Sequence, residues 1–264
     1  MLNLSFNFIL LITLRVTNKQ NNLTKMAPSR DETQPCCRGD DHSEYVSQGK
    51  VITIGDELPA YVVGSGSKGV VVNMDIFGLE MGGTREFCDK LAAAGFNVIL
   101  PDYFRGNPWS EARYPITDKN EFMNWITPYC DVKKEVEYSL NYLKEQQCNS
   151  FGTVGFCYGG MVSFKFFGQY DEVKAISILH GSFVQDDDAP NVKPVVQLLD
   201  SKDEPDRTTM NEILGKKFGD NYEYKRFNTM DHGWSIRGDR SNADIQKERD
   251  QAYVMTETFL KKHL

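Results

Sequence analysis

A cysteine at the apex of a glycine-flanked bend constrains this chain more than any other feature of its sequence. Residues 151–155 before the bend are strand-like, and the apolar residues 161–167 after it predict a buried helix. A turn this sharp strains the backbone of its central residue and requires small residues two positions away on either side. A thiol at the start of a helix has a lowered pKa and is a strong nucleophile. The simpler interpretation is a small buried cysteine. The bend reads Gly155-Phe156-Cys157-Tyr158-Gly159-Gly160.

A nucleophilic cysteine needs a base, and the chain has four histidines. His42 lies in a polar N-terminal stretch and His263 is the penultimate residue, so neither is expected to be held rigidly. His180 ends an apolar, strand-like run, whereas His232 lies in a loop between the last strand-like segment and a C-terminal helix. We predict His232 as the base, because the histidine of this kind of fold follows the last strand. His180 is the alternative.

Three aspartates compete for the carboxylate that would orient this histidine. The expected chain order is nucleophile, acid, base, which places the acid between Cys157 and His232. Residues 194–199 read as a buried strand, and the turn after them holds Asp200, Asp203 and Asp206. Working side chains project just past the carboxyl ends of strands in open α/β sheets, so spacing leaves both Asp200 and Asp203 possible. The alternative is a solvated acidic loop.

From about residue 48 to the C-terminus, the chain resembles the dienelactone hydrolase family, which comprises carboxymethylenebutenolidase and its homologues. The resemblance implies an α/β-hydrolase fold, a single domain over residues 46–264 with a mostly parallel central sheet and helices on both faces. It aligns Ser201-Lys202-Asp203 with the turn that carries the family's catalytic aspartate, which favours Asp203. Four pieces in family order carry the resemblance: Asp75-Ile76-Phe77-Gly78, Pro101-Asp102-Tyr103-Phe104, the bend at Cys157, and His232-Gly233-Trp234.

The pattern of the remaining chain agrees with such a fold, because strand-like and helix-like segments alternate. Residues 50–63 predict an edge hairpin, and residues 118–147 predict a helix that Pro128 interrupts. Part of that helix, residues 121–125, would cap the site from one side. Residues 243–260 predict a long terminal helix on the sheet.

The resemblance implies hydrolysis of small esters or lactones. Cys157 would attack the carbonyl carbon and form a thioacyl enzyme, while His232 shuttles the proton and Asp203 fixes the imidazole tautomer. A non-catalytic ligand-binding or interaction protein on the same fold is one alternative. A redox-sensing thiol protein, in which Cys157 is oxidised instead of acylated, is another.

Two backbone N–H groups would stabilise the developing oxyanion. Tyr158 follows the nucleophile and opens a helix, which makes its N–H the natural first donor. By resemblance, the N–H of Ile76 is the second. Family members carry an acidic residue, usually glutamate, before that isoleucine, where it interacts with the resting thiol. Asp75 takes this place with a side chain one methylene shorter, and we assign it a thiol-modulating role.

Arginines are the candidates to hold a substrate carboxylate, because their fork matches a planar carboxylate. Of four candidates, we favour Arg105 and Arg237 as substrate-binding residues. In bacterial family members the arginine comes four residues after the histidine, whereas Arg237 comes one residue later. Phe77 and Trp234 are candidate walls of an apolar pocket, although such aromatics are often core. The four candidates are Arg105, Arg113, Arg237 and Arg240.

Composition narrows the function classes. The chain has 264 residues, 40% of them hydrophobic, and a net charge of −7, which fits one large α/β domain and argues against nucleic-acid binding. Nothing in the charge pattern favours a membrane partner. Six scattered cysteines without a C-x-x-C pair suit a reducing compartment, and four dispersed histidines do not suggest zinc. We expect no metal or other cofactor, a small-molecule substrate, and a monomer, although the sequence leaves oligomeric state open.

The N-terminus forms a separate question. We expect residues 1–45 to be a flexible tail that contributes nothing to the site. Residues 1–14 are apolar but lack a basic n-region and a small-x-small cleavage site, and Met26 is a second potential start. An artefactual extension on a cytoplasmic protein is the favoured interpretation. A signal peptide on a secreted protein is the alternative.

Overall fold

The computed structural model of the protein describes residues 45–264. The predicted tail therefore lies outside the described residues, except for Tyr45. Eight strands form one sheet in the order β1-β2-β4-β3-β5-β6-β7-β8. The strands are β1 (Lys50–Ile54), β2 (Leu58–Val63), β3 (Lys68–Asn73), β4 (Phe96–Pro101), β5 (Ser150–Phe156), β6 (Val173–Leu179), β7 (Val195–Ser201) and β8 (Glu223–Phe227).

Pairing is antiparallel only at one edge of the sheet. The predicted hairpin is formed by β1 and β2, and β2 also runs antiparallel to β4. Every other neighbouring pair, from β4–β3 to β7–β8, is parallel. Val70, Val71 and Val72 of β3 are all fully buried, as expected for a central strand covered on both faces.

Helices connect the strands, and residues 121–125 lie in one of them, as predicted. Short 3-10 turns add Glu111–Arg113, Thr127–Tyr129, Asp186–Asn191 and Gly219–Asn221. The α-helices are α1 (Gly82–Ala93), α2 (Lys119–Ile126), α3 (Lys133–Glu145), α4 (Gly159–Met161), α5 (Thr208–Phe218), α6 (Trp234–Arg237) and α7 (Ala243–His263).

Strand order places helices on both faces. The connection from β3 through α1 to β4 runs towards the hairpin edge, whereas the connections from β4 to β5 and onwards run the other way. Parallel crossovers are right-handed, so opposite directions put their helices on opposite faces of the sheet. The order reverses between β3 and β5, and ligands of open α/β sheets bind at the carboxyl ends of the strands at such a point.

Two local features refine the predicted helices. The helix predicted over residues 118–147 is interrupted at Thr127–Tyr129 by a 3-10 turn that contains Pro128, so this prediction is confirmed. The segment after the bend is less regular than predicted: α4 is a single turn that widens into a π-turn at Val162–Phe166 and tightens into a 3-10 turn at Phe167–Gln169. Within the described residues, no helix has the length and apolar character needed to cross a membrane.

Candidate active site

The bend after β5 holds Cys157 in the geometry of a nucleophile elbow. Cys157 has φ of 51°, in the left-handed region that non-glycine residues rarely adopt. A Cβ atom on Gly159 would lie 2.1 Å from the carbonyl oxygen of Asn73 on β3, so only glycine fits this close approach. The thiol is 7% exposed at the carboxyl end of β5. Cys157 therefore lies at a strained bend between β5 and α4.

A buried polar cluster fixes the strands beneath the elbow. The side-chain amide of Asn73 donates to Thr153 Oγ1 and Ser163 Oγ, both at 2.7 Å. Tyr103 Oη donates to Asn73 Oδ1 at 2.6 Å. Because both the donor and the acceptor of this amide are satisfied, the cluster ties the end of β3 to β5 and to the turns after the elbow.

His232 follows β8 and meets two carboxylates from the turn after β7. Its backbone N–H donates to Asp203 Oδ2 at 2.8 Å. Its ring Nδ1 lies 2.5 Å from Glu204 Oε1, and the Glu204 side chain is only 2% exposed. Glu204 Oε2 also accepts from the backbone N–H of Ser201, which fixes the orientation of the carboxylate. The ring Nε2 is thereby left for the thiol.

The carboxylate that contacts His232 Nδ1 is Glu204, one residue after the predicted Asp203. Asp203 holds the histidine loop through the backbone instead, and its own N–H donates to Ser201 Oγ at 3.2 Å. Asp200, the other candidate, is fully buried and pairs with Arg207 and Arg226. Glu204 is a carboxylate in the predicted acidic turn, but nothing in the sequence distinguishes it from Asp203 and Asp206 as the partner of the imidazole.

Electrostatics couple the thiol to the imidazole. Burial alone would raise the pKa of Cys157, but the neighbouring His232 charge and hydrogen bond outweigh it and lower the pKa. Burial likewise disfavours the imidazolium, but Cys157 and Glu204 together raise the pKa of His232 to about 10. Both shifts favour the same state, a thiolate beside a protonated histidine.

His180, the alternative base, lies behind His232. It is fully buried, with φ of 41°, and its Nε2 lies 2.8 Å from Ser235 Oγ. Its ring packs edge-on against the His232 ring with centroids 4.9 Å apart. Burial and the nearby His232 charge lower its pKa well below the usual value, so His180 is neutral. It supports the position of the His232 ring.

Asp75 and Arg237 form a buried pair beside the thiol. Asp75 Oδ2 and Arg237 Nε are 3.0 Å apart, close enough for an ion pair, although their alignment is not that of a hydrogen bond. Asp75 Oδ1 accepts from the Phe77 N–H at 2.9 Å. Burial raises the pKa of Asp75, and Arg237 opposes this. The charge of Asp75 in turn acts to raise the pKa of Cys157.

Arg237 is thus placed differently from a free substrate-binding arginine. Its side chain is 3% exposed, and its guanidinium lies 4.5 Å from the centre of the Phe77 ring. The single-turn helix α6 begins after Gly233, which has φ of 94°, and it folds Arg237 back. A Cβ on Gly233 would lie 2.4 Å from Arg237 Nη2, so glycine makes room for the guanidinium.

The other predicted substrate contacts also have structural partners. Arg105 donates to the Asp56 carbonyl at 2.7 Å and pairs with Glu135 at 3.2 Å, which ties the β1–β2 hairpin to α3. Trp234 is fully buried against His180 and Phe227 and is a core residue. Phe77 is 6% exposed, between Arg237 and Tyr114. Trp234 and Phe77 are thus buried, whereas Arg105 is partly exposed and already paired.

The two predicted oxyanion donors belong to the loops that follow β5 and β3. Tyr158 follows Cys157, and Ile76 follows the buried Asp75. Within residues 45–264 neither N–H has a backbone acceptor outside the regular elements, while the Ile76 carbonyl accepts from the Trp109 N–H at 2.9 Å. The loop after β4 thus holds Ile76 through its carbonyl oxygen.

An aromatic group supports Tyr158 from the side of α2, where residues 121–125 were predicted to cap the site. Tyr158 Oη donates to the Tyr129 carbonyl at 2.6 Å, just after α2. Its ring packs on Phe104, which also contacts Trp125 of α2 with centroids 4.9 Å apart. Residues 121–125 thus reach the residue after the nucleophile through one layer of rings.

The mostly parallel eight-stranded sheet, with Cys157, His232 and Glu204 after its strands β5, β8 and β7, has the fold of an α/β-hydrolase. The chain belongs to the dienelactone hydrolase family, whose sequence model matches residues 58–264. This family was the one suggested by the four sequence pieces, and it supports a hydrolase that acts on esters or lactones.

Known proteins similar to the chain agree with this assignment. Two are described as carboxymethylenebutenolidase homologues. The one from Rattus norvegicus is 32% identical over 78% of this chain and 88% of that protein. The one from Xenopus tropicalis is 32% identical over 85% of this chain and 93% of that protein. A solved structure described as a putative dienelactone hydrolase from Klebsiella pneumoniae has the same fold, with a TM-score of 0.65 over 83% of this chain and 99% of that one, at 19% identity.

Proposed function

We propose that the protein hydrolyses small esters or lactones through a thioacyl intermediate on Cys157. The observation that carries the proposal is the continuous chain of contacts from Cys157 through His232 to Glu204. A nucleophile, a base and a carboxylate that fixes the tautomer of the base are the parts that acyl transfer needs. Here Glu204 takes the role assigned from sequence to Asp203, and Asp203 anchors the backbone of the histidine loop.

The proton transfers follow from this arrangement. The Cys157 proton resides on His232, so the thiolate attacks the carbonyl carbon and the carbonyl π electrons move onto the oxygen. The N–H groups of Ile76 and Tyr158 donate to that oxyanion, each contributing about 3 kcal/mol. As the intermediate collapses, the ester C–O bond breaks and the His232 imidazolium gives its proton to the leaving alkoxide. Water then attacks the thioester with His232 as base, which releases the acid and the thiol.

Asp75 would tune this cycle through its pairing with Arg237. While the pair is intact, the guanidinium offsets the Asp75 charge beside the thiol. A separated Asp75 would disfavour the thiolate, because like charges raise a thiol pKa. The pair also leaves Arg237 already neutralised, so a substrate carboxylate would have to compete with Asp75 for it. We therefore propose neutral esters and lactones as better substrates than carboxylate-bearing ones.

Active-site titration tests the proposal. The protein is mixed with excess aryl ester, and release of the phenol is followed together with the mass of the intact protein. A hydrolase gives a burst of one phenol per chain and an acyl adduct on Cys157, and Cys157→Ala abolishes both. Absence of burst and turnover over a panel of aryl esters and lactones would leave the binding-protein alternative. A stable oxidised Cys157 without ester turnover would point to the redox sensor.

A further inference from the structure

We propose that the Ser182 hydroxyl is a further catalytic group, which donates a hydrogen bond to the Cys157 thiolate and is held there by Arg207. The inference rests on the proposed function, since it concerns the same nucleophile. It adds a third element to the thiol site, the loop after β6, which the sequence motifs of the family did not single out.

Ser182 contacts the nucleophile twice. Its Oγ lies 3.5 Å from Cys157 Sγ, within hydrogen-bonding range for sulfur. Its backbone N–H donates to the Cys157 carbonyl oxygen at 2.8 Å. The backbone contact fixes where the side chain starts, and the hydroxyl needs only a rotation about one bond to point at the sulfur. Ser182 is half-buried.

The loop that carries Ser182 is bent into an unusual conformation. His180 and Phe183, on either side of it, have φ of 41° and 58°, and neither is a glycine. Each such residue costs of order 1–3 kcal/mol and persists only where its surroundings enforce it. Both ends of the loop adopt this backbone, and Ser182 lies between them. The strain is therefore concentrated around the residue that touches the sulfur.

Arg207 is the group that enforces this conformation. It is 3% exposed, and its Nη2 and Nη1 donate to the carbonyls of Gly181 at 3.1 Å and Val184 at 3.2 Å. Its Nε donates to Asp200 Oδ2 at 3.2 Å. The guanidinium fork thus binds the loop on both sides of Ser182, and the buried carboxylate holds the fork in place. Asp200, a candidate acid in the sequence, has this supporting role.

The Ser182 hydroxyl adds an uncharged hydrogen-bond donor to the charged groups around the sulfur. His232 faces the thiolate with a positive charge, and Asp75 faces it with a negative charge that Arg237 offsets. Ser182 is neutral, so it stabilises the thiolate by hydrogen bonding without changing the net charge of the site. When the sulfur attacks and becomes a neutral thioester, this hydrogen bond weakens and the hydroxyl proton stays on Oγ.

The test is the pH dependence of alkylation at Cys157. The full-length protein is treated with iodoacetamide across a pH series, and modification of Cys157 is quantified by peptide mass spectrometry, which separates it from the other cysteines. Loss of a hydrogen bond to an ionised group raises the thiol pKa, so we expect Ser182→Ala to titrate about one pH unit higher. Ser182→Thr retains the hydroxyl and should titrate close to the wild type.

A buried serine outside the site provides the matched control. Ser139→Ala removes a buried hydroxyl that donates to the Glu135 carbonyl within α3. Its Cys157 profile should coincide with that of the wild type. Identical profiles for Ser182→Ala and the wild type would overturn the proposal, as would an equal shift in Ser139→Ala. Alkylation does not depend on ester turnover, so failure of the proposed hydrolysis would be seen separately, in the burst assay.

Discussion

The Nδ1 atom of His232 lies 2.5 Å from Glu204 Oε1, while the backbone N–H of the same histidine donates to Asp203 Oδ2 at 2.8 Å. Two adjacent carboxylates thus divide two tasks. Glu204 contacts the ring that moves protons, and Asp203 contacts the loop that carries the ring. Burial opposes the charge on Glu204, but hydrogen bonding to His232 lowers its pKa below the usual value, so it is ionised at neutral pH.

The division of tasks predicts unequal effects of two isosteric changes. Glu204→Gln removes the charge that holds the imidazole tautomer and stabilises the imidazolium, and loss of that role in a triad costs about 10⁴-fold in kcat. Asp203→Asn retains an acceptor for the His232 N–H and should cost about tenfold or less, since it keeps a neutral hydrogen bond. Steady-state kcat on an aryl ester, with circular dichroism as a folding control, separates them. A larger loss of kcat in Asp203→Asn than in Glu204→Gln would assign the role of catalytic carboxylate to Asp203.

The sequence located the loops that form the site, but it did not identify which side chains in those loops contact each other. The elbow, the histidine loop and the acidic turn each follow a strand, and strand ends meet at one edge of a parallel sheet, so their proximity was predictable. Which carboxylate of the acidic turn reaches the ring depends on the backbone of the turn between Ser201 and Glu204, which no periodicity encodes. The same limit applies to Ser182, whose approach to the sulfur depends on strained residues and on Arg207.

Arg237 shows a different limit. Its distance from His232 along the sequence suggested a free substrate contact. Its partner is instead Asp75, which follows β3 and is more than 150 residues earlier in the chain. Gly233 and the short helix α6 decide where the guanidinium goes, and only the folded chain brings it to Asp75. Trp234 is buried for the same reason, because the turn of α6 directs it towards Phe227.

The buried pair predicts a marked non-additivity in stability. Arg237→Met leaves Asp75 as an uncompensated buried carboxylate and should cost about 3–5 kcal/mol of unfolding free energy. Asp75→Asn leaves the Arg237 charge unpaired and should cost a similar amount. The double variant removes both charges and should be much more stable than the sum of the two losses implies. Urea unfolding of the four proteins measures this coupling, and strict additivity would show that the two charges do not interact.

The thiolate–imidazolium pair predicts the pH dependence of activity. The pKa of Cys157 is lowered below its ordinary value, and that of His232 is raised to about 10, so the pair exists between the two values. We expect kcat/KM to rise with pH through the lowered thiol pKa and to fall near pH 10, when the imidazolium loses its proton. Histidine resonances followed by NMR give an independent reading. In Cys157→Ala the pKa of His232 should fall, because the thiolate no longer raises it.

An unchanged His232 pKa in Cys157→Ala would mean that Glu204 alone sustains the imidazolium. Glu204→Gln is the matched comparison, since it retains the thiol and removes only the carboxylate charge. Comparing the two variants shows how much of the rise in the His232 pKa comes from Cys157 and how much comes from Glu204.

The Arg207 fork predicts an effect on catalysis from outside the thiol site. Arg207→Lys retains a positive charge for Asp200 but cannot bind the Gly181 and Val184 carbonyls together. We expect kcat to fall about tenfold with little change in KM, because Ser182 is less firmly placed against the sulfur. Asp200→Asn is the comparison, because it removes the charge paired with Arg207 and leaves the two carbonyl contacts of the guanidinium in place. An equal loss in Asp200→Asn would assign the effect to the Arg207–Asp200 pair and not to the contacts with the loop.

Cys157→Ser tests whether the site is built for sulfur. The hydroxyl of serine has a far higher pKa than a thiol, and it is smaller, so it would lie farther from both the His232 ring and the Ser182 hydroxyl. We expect a loss of at least about 10³-fold in kcat with the fold intact, since neither an alkoxide nor an imidazolium would form at rest. Single-turnover kinetics with an aryl ester measure acylation directly. Turnover comparable to the wild type would show that His232 can act as a general base for an alcohol, and the resting thiolate would then be unnecessary for the reaction.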